Sequence, residues 1–461
     1  MQANSQSAAL SAQSASIAPV FNPRIVIPLL GTVVVLVVMN TMMFNLALPR
    51  VSEQFQLGAA AASWIVTGYS TVFAISSITY SRLSDFLPIR RLLLIGLLCL
   101  GGASIAGWLS HNYALLLVSR LVQASGAGSA VSLSLVLIAR HVPQEQRGKS
   151  MSLIMAAASL GLGLGPVAGG FITQVFGWNA LFLVTGVALL ILPILYRQLP
   201  AEPAAPGSFD WQGGLLLAIG TTGLLLFLSN QLVPALGAGL LGLALFWLRI
   251  TRTAEPFVQP DLLRNRAYML LIGLGIFAYV INFATMYLLP QVLTHQYGLE
   301  PLQAGLILFP GALLSMLASG RIGRTIDRHG NRPLLRWAPW PLLAAGVLFA
   351  LLGGVSYYAV LVVFMLMILG FTALNASVSN EMSRILSARQ IGAGMGLFQL
   401  LQFFSGAFSV ALCGSALALQ RELPLQVAHA NLFWGTAAVG LVTLVCSLLY
   451  IASSRRSAQS Q

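Results

Sequence analysis

Apolar residues in this chain come in long blocks separated by short charged or Pro/Gly-rich breaks. A helix needs about 20 consecutive apolar residues to cross a bilayer. Runs of that order fall at 25–47, 61–80, 92–109, 114–138, 151–175, 180–196, 212–229, 233–248, 267–290, 302–320, 337–354, 358–377, 392–418 and 432–452. The pattern predicts an all-α polytopic membrane protein with 14 spans. Only Asn230, Gln231 and Leu232 separate the seventh run from the eighth. A re-entrant hairpin there is the alternative; it leaves 12 full spans and the same orientation.

Composition narrows the classes. Of 461 residues, 57% are hydrophobic and 8% charged, with a mean hydropathy of +0.85. Soluble domains carry about 25% charged residues, so a soluble globular protein, a disordered chain and a nucleic-acid binder are excluded. The net charge of +13 reports topology, because cytoplasmic loops of membrane proteins collect Arg and Lys. With both termini placed in the cytoplasm, 21 of the 24 basic residues fall inside. Arg50 and Arg421 fall outside, and Arg120 lies within span 4. The expectation is a multi-pass protein of a bacterial inner membrane, surrounded by lipid, with cytoplasmic tails at 1–24 and 453–461. The first tail is Ser/Ala/Gln-rich and reads as disordered; it lacks the basic start of a signal peptide. Cys99, Cys413 and Cys446 are isolated within apolar runs, which predicts neither a disulfide framework nor a metal site.

Two loop pairs repeat at nearly one offset. Ser81-Arg-Leu-Ser-Asp85 with Arg90 and Arg91 matches Gly323-Arg-Thr-Ile-Asp327 with Arg328, Gly330 and Arg332, 242 residues later. Gln146-Arg-Gly148 with Met151 and Leu153 matches Gln390-Ile-Gly392 with Met395 and Leu397, 244 residues later. Two related six-span halves, 25–197 and 267–452, are therefore expected around a linker with an inserted hairpin, 198–266. Internal repeats of this kind build many secondary transporters, with the substrate site near midplane between the halves.

These segments resemble the major facilitator superfamily. Gly323 to Arg332 is similar to its cytoplasmic signature loop. Asn45-Leu-Ala-Leu-Pro49, Trp64, Arg120-Leu-Val-Gln123, Pro256-Phe257 and the span 5 run Gly161-Leu-Gly163-Leu-Gly165-Pro166-Val-Ala-Gly169-Gly170 resemble its fourteen-span drug/proton antiporter branch, especially tetracycline efflux proteins. The resemblance implies a secondary transporter that takes a small-molecule substrate, with protons as a coupling ion. It implies that the Asp85 and Asp327 loops act as cytoplasmic latches. Ser81 and Pro88 depart from the signature, so the first latch is expected to be weaker or differently bent. The span 5 run implies a tightly packed hinge, since small residues let helices approach closely and Pro166 removes a backbone donor.

Arg120 is the sharpest single residue. An ionised Arg within a span is costly and marks a site; snorkelling to the outer rim is the structural alternative. With Gln123 it is expected to serve coupling or substrate charge. Expected cavity-lining groups are Asn40, Thr41, Asn45, Tyr69, Tyr279, Asn282, Tyr287, Asn375, Gln399 and Gln402. Proton-coupled exporters carry embedded carboxylates, yet all 11 acids here fall at loops or rims. The resembled family's acids would fall at Asn40 or Thr41, at Leu162 and near Gly406. The leading expectation is efflux of amphipathic drugs or antibiotics, tetracycline-like or multidrug in scope. The alternative is a dedicated exporter of an anionic or zwitterionic metabolite, such as a siderophore or self-made antibiotic, without obligatory proton coupling. No nucleotide-binding loop and no ligand-spaced His/Cys cluster occurs, so neither an enzyme, a cofactor nor ATP drive is expected.

Overall fold

The computed structural model describes residues 22–57, 59–200, 202–204, 207–230, 232–253, 255–387 and 390–459, with backbone alone at 45–46, 49, 59–60, 62–63, 67, 229–230, 301 and 455–459. Its helices are α1 (Pro23–Gln54), α2 (Ala59–Leu83), α3 (Ile89–Trp108), α4 (Tyr113–His141), α5 (Gln144–Val175), α6 (Leu181–Gly186) and α7 (Ala188–Gln198). An inserted hairpin follows, α8 (Trp211–Asn230) and α9 (Val233–Ile250), then the short α10 (Pro260–Arg264). The second half holds α11 (Arg266–Gln291), α12 (Pro301–His329), α13 (Arg332–Trp337), α14 (Pro339–Leu352), α15 (Tyr357–Ile385), α16 (Ile391–Leu419) and α17 (Leu425–Gln459).

Local chemistry sets the ends of these helices. Asn22, Asn112, Asn265 and Ser356 accept backbone N–H groups at the starts of α1, α4, α11 and α15. Glu300 and Gln303 form a capping box at α12. Gly330, at φ 75°, takes the left-handed turn that stops α12.

Among the described residues, 13 helical segments are long and apolar enough to cross a membrane. The remaining expected span, 61–80, coincides with α2, which has 25 residues. Two predicted runs are not single helices. Span 6 opens with a tight turn at Trp178–Ala180 and breaks again after Gly186, a poor helix former. Span 11 breaks at Ala338, because Pro339 brings no N–H to continue α13. Both members of the inserted hairpin are long enough to cross, which disfavours the re-entrant reading. They pack through glycines: a Cβ at Gly223 would lie 2.6 Å from the Gly239 Cα.

The halves meet along α5 against α12 and along α2 against α16. Towards the arginine-rich end, α4 from 126 to 139, α15 from 370 to 380 and α16 from 391 to 400 are buried on every face. At the other end the same helices open: Val118, Val122, Leu412 and Leu419 are exposed. The arginine-rich end of the bundle is closed. Large aliphatics such as Leu190, Leu317 and Val355 cover the outside, a surface suited to lipid rather than water.

Candidate functional site

Arg120 lies about 10 Å along α4, at 1.5 Å per residue, and is 1% exposed. One of its terminal nitrogens donates to Asn40 Oδ1 and to Gln123 Oε1, both at 2.6 Å. The guanidinium is sandwiched between Phe44 and Tyr69, 3.9 and 4.0 Å from their ring centroids. Helical spacing explains the set. Asn40 and Phe44 are one turn apart on α1, as are Arg120 and Gln123 on α4. Gln123 Nε2 donates in turn to Ser104 Oγ at 3.0 Å and Thr185 Oγ1 at 2.7 Å. Snorkelling is ruled out by this enclosure. Among the described residues no carboxylate pairs with Arg120. The neutral amide of Asn40 holds that place, so the positive charge is left without a counter-charge. An Arg at a helix centre costs about 2.5–3.5 kcal/mol to insert in a membrane, and nothing ionic offsets it here.

From Tyr69 a chain of rings crosses to the other half. Tyr69 stacks with Phe73 at 6.3 Å, Phe73 meets Phe403 edge-on at 4.5 Å, and Phe403 meets Tyr279 at 5.8 Å. Tyr279 also contacts Phe283 and Phe371. Beside these rings lie open amides. Asn282 is fully buried, and neither its oxygen nor its nitrogen has a partner. Asn375 accepts from Gln402 at 2.8 Å, but its own nitrogen is unpartnered, as is Gln399 Oε1. An unsatisfied buried polar group costs about 1–3 kcal/mol, so these four amide atoms retain unused hydrogen-bonding capacity.

Of the other expected lining groups, Thr41 also meets Tyr69, whereas Tyr287 stands apart. The Thr41 hydroxyl bonds its own helix at Val37. Tyr287 is half-buried further along α11, against Gly414. The Asn45 side chain lies outside the described residues. Sequence reasoning missed Phe44, Phe73, Phe283 and Phe403. Each follows a named polar residue by four positions: Asn40, Tyr69, Tyr279 and Gln399. That recurrence is the signal that could have found them.

At the arginine-rich end the two sequence repeats touch each other across the halves. Asp85 sits on Gly392: a Cβ there would overlap its Oδ1. Asp327 accepts the Gly148 and Lys149 N–H groups at 2.8 and 3.1 Å. The Asp85 loop, expected to be weaker or differently bent, makes the more side-chain bonds of the two. Asp85 pairs with Arg82 at 2.7 Å and with Arg140 at 2.6 Å. The departing residue Ser81 adds a bond across the halves, donating to the Gly392 carbonyl at 2.8 Å. Among the described residues, Asp327 has backbone donors only. Its counterpart arginine, Arg384, is drawn to Glu381 instead.

The neighbouring arginines do other things. Arg90 stacks on Tyr196, and Arg91 and Arg328 are exposed. Arg332 reaches the Ser454 carbonyl at 3.5 Å. Gly323 packs on the Lys149 backbone. Burial pushes the Asp85 carboxyl above the ordinary range, against the pull of Arg140, Arg82 and the Gly392 N–H. Arg82 also donates to the Pro256 carbonyl at 3.1 Å, tying the latch to the loop after the inserted hairpin.

The span 5 glycines divide by face. Gly161, Gly165 and Gly169 are four apart and meet α1: a Cβ at Gly161 would lie 2.8 Å from the Val35 carbonyl, and one at Gly169 2.8 Å from the Met43 Cα. Gly163 faces the other half, where a Cβ would overlap Ala312. Gly170 is half-buried at the same end of α5. Pro166 sits inside a helix that continues to Val175, with Gly305 of α12 beside it.

A sequence profile of the Major Facilitator Superfamily matches residues 30–410. The chain belongs to the Major Facilitator Superfamily. It is 25% identical over 429 residues to the riboflavin transporter RibZ of Clostridioides difficile, covering 90% of this chain and 94% of that one. It is 27% identical over 453 residues to the lincomycin resistance protein of Streptomyces lincolnensis, covering 93% and 91%. The human organic anion transporter MFSD10 superposes with a TM-score of 0.69 at 18% identity, over 92% of this chain and 99% of that one. That last likeness concerns the fold.

This superfamily member is therefore a membrane transporter and not an enzyme, and its likeness extends to the drug-efflux branch. Hydroxyls rather than acids join its halves near the middle of α5. Ser159 bonds Thr372 at 3.2 Å, and Thr372 bonds Ser315 at 2.6 Å.

Proposed function

We propose that this transporter exports amphipathic aromatic small molecules that are neutral or anionic, from the cytoplasm of a bacterium. The observation that carries the reading is Arg120, buried without a carboxylate and continuous through Tyr69 with rings and open amides of the other half. A flat guest would stack on the rings, offer hydrogen bonds to Asn282, Asn375 and Gln399, and place any negative charge near the guanidinium. A cation would meet uncompensated positive charge. In this reading the arginine-rich end and both termini are cytoplasmic, and 25–197 and 267–452 rock about the site. Similarity to a riboflavin transporter and a lincomycin resistance protein supports an organic guest, either a drug or a metabolite. Proton antiport through an embedded carboxylate has no residue to carry it.

The test uses inside-out vesicles carrying the protein, loaded against a panel of cationic, neutral and anionic aromatic compounds. Uptake of neutral or anionic members, lost in Arg120→Ala, is the expected result. Uptake confined to cations, or unchanged in Arg120→Ala, would overturn the reading. Luminal pH recorded in the same vesicles reports whether protons move in exchange.

A further inference from the structure

A cavity of about 260 Å³ opens between the end of α11, α14 and α17, away from the arginine-rich end. Its wall includes Val292, Gln296, Phe349, Gly354, His429 and Phe433. We infer that this cavity is a second small-molecule site, separate from the path between the halves, and that it takes an uncharged molecule of about one ring bearing a hydrogen-bonding group.

Three features select that guest. His429 is 2% exposed, and both of its ring nitrogens lack a partner. A neutral imidazole carries one donor and one acceptor, so His429 leaves one of each unused in the cavity wall. Phe349 and Phe433, stacked 5.0 Å apart, supply an aromatic wall. Among the described residues no Asp, Glu, Lys or Arg lines the space, so a charged guest would be desolvated without compensation. The volume lies below the roughly 300–1,000 Å³ of drug-sized pockets. The cavity therefore suits a fragment rather than a large exported drug. His295 lies nearby but is exposed, and among the described residues no group of three metal-ligating side chains exists.

The cavity touches the transport machinery at one place. Val292 and Gln296 belong to a π-helical turn, Val292–Gln296, that continues α11 beyond Pro290. Such turns recur at functional sites. Asn282 lies ten residues earlier on the same helix, about 15 Å away at 1.5 Å per residue. A guest against Val292 and Gln296 thus bears on the helix that carries the open amide.

The experiment uses the full chain in lipid nanodiscs and 4-fluorophenol as the probe. Fluorine NMR line broadening is titrated for wild type, for Ala430→Phe, which fills the cavity, and for His429→Leu, which removes both nitrogens. Unfolding temperatures and elution profiles check that each variant is folded. Saturable broadening in wild type, weakened at least tenfold in both variants and unchanged in Arg120→Ala, is the expected result. Broadening that never saturates, or that Ala430→Phe leaves unaltered, means partition into lipid only and overturns the proposal. The readout is independent of transport, so it stands apart from the fate of the export reading.

Discussion

Arg120 donates a 2.6 Å hydrogen bond to Asn40, an uncharged side chain at the position where a carboxylate would neutralise it. The substitution Asn40→Asp restores that carboxylate with little change of shape. It is expected to lower uptake of anionic compounds on the order of tenfold, equivalent to ~1.4 kcal/mol, and to admit cations. Competition between matched anionic and cationic dyes in vesicles measures the switch. Unchanged charge preference would remove Arg120 from substrate selection.

Gly392→Ala places a methyl group on the Asp85 carboxylate, and Gly148→Ala places one on Ile326, with Asp327 Oδ1 at 2.7 Å. Either should open the arginine-rich end. Backbone hydrogen exchange over 391–400 in α16 is expected to accelerate more than about tenfold, as local opening becomes easier by ~1.4 kcal/mol. Protection equal to wild type in both variants would mean that the latches do not hold this end closed.

The two faces of α5 should separate by substitution. Gly165→Val drives a side chain into Met42 within one half, and overpacking of this kind costs about 1–3 kcal/mol of stability. Gly163→Val meets Ala312 across the halves. It is expected to slow transport while leaving the unfolding temperature nearer wild type. Equal thermal losses in the two variants would refute the division.

Acid should loosen the linker before the helices. Burial alone would raise the Glu202 carboxyl, but His141 and the Ile89 N–H hold it below the ordinary glutamate range. Asp210 is likewise held low, against burial, by the Gly213 N–H, Arg249 and the Phe257 N–H. A carboxyl whose folded value is depressed stabilises the fold fully above its unfolded value, about 3.9 for Asp and 4.3 for Glu, and that contribution fades as pH falls through the folded value. Proteolysis within 199–210 is therefore expected to accelerate below about pH 4. Glu202→Gln should be cleaved faster at neutral pH and show a smaller acid response.

The spans were legible because lipid demands unbroken apolar runs, and Arg120 stood out because a charge inside one is rare. The phenylalanines of the ring chain were not legible: in a membrane chain, Phe44 and Phe403 read as lipid-facing bulk until a tertiary contact selects them. The latches were legible as a repeat, but their ranking was not. Local spacing pointed to Arg90 and Arg91, whereas Arg140 reaches Asp85 from the far end of α4. The break at Val187 was obscured because the apolar pattern runs through it without a change of polarity.

Asp85 reaches from the first half onto Gly392 of the second, and Asp327 reaches from the second onto Gly148 of the first. Each half is thus both hook and eye. The closed end is therefore fastened reciprocally, and each fastening sets one half's carboxylate against the other half's glycine.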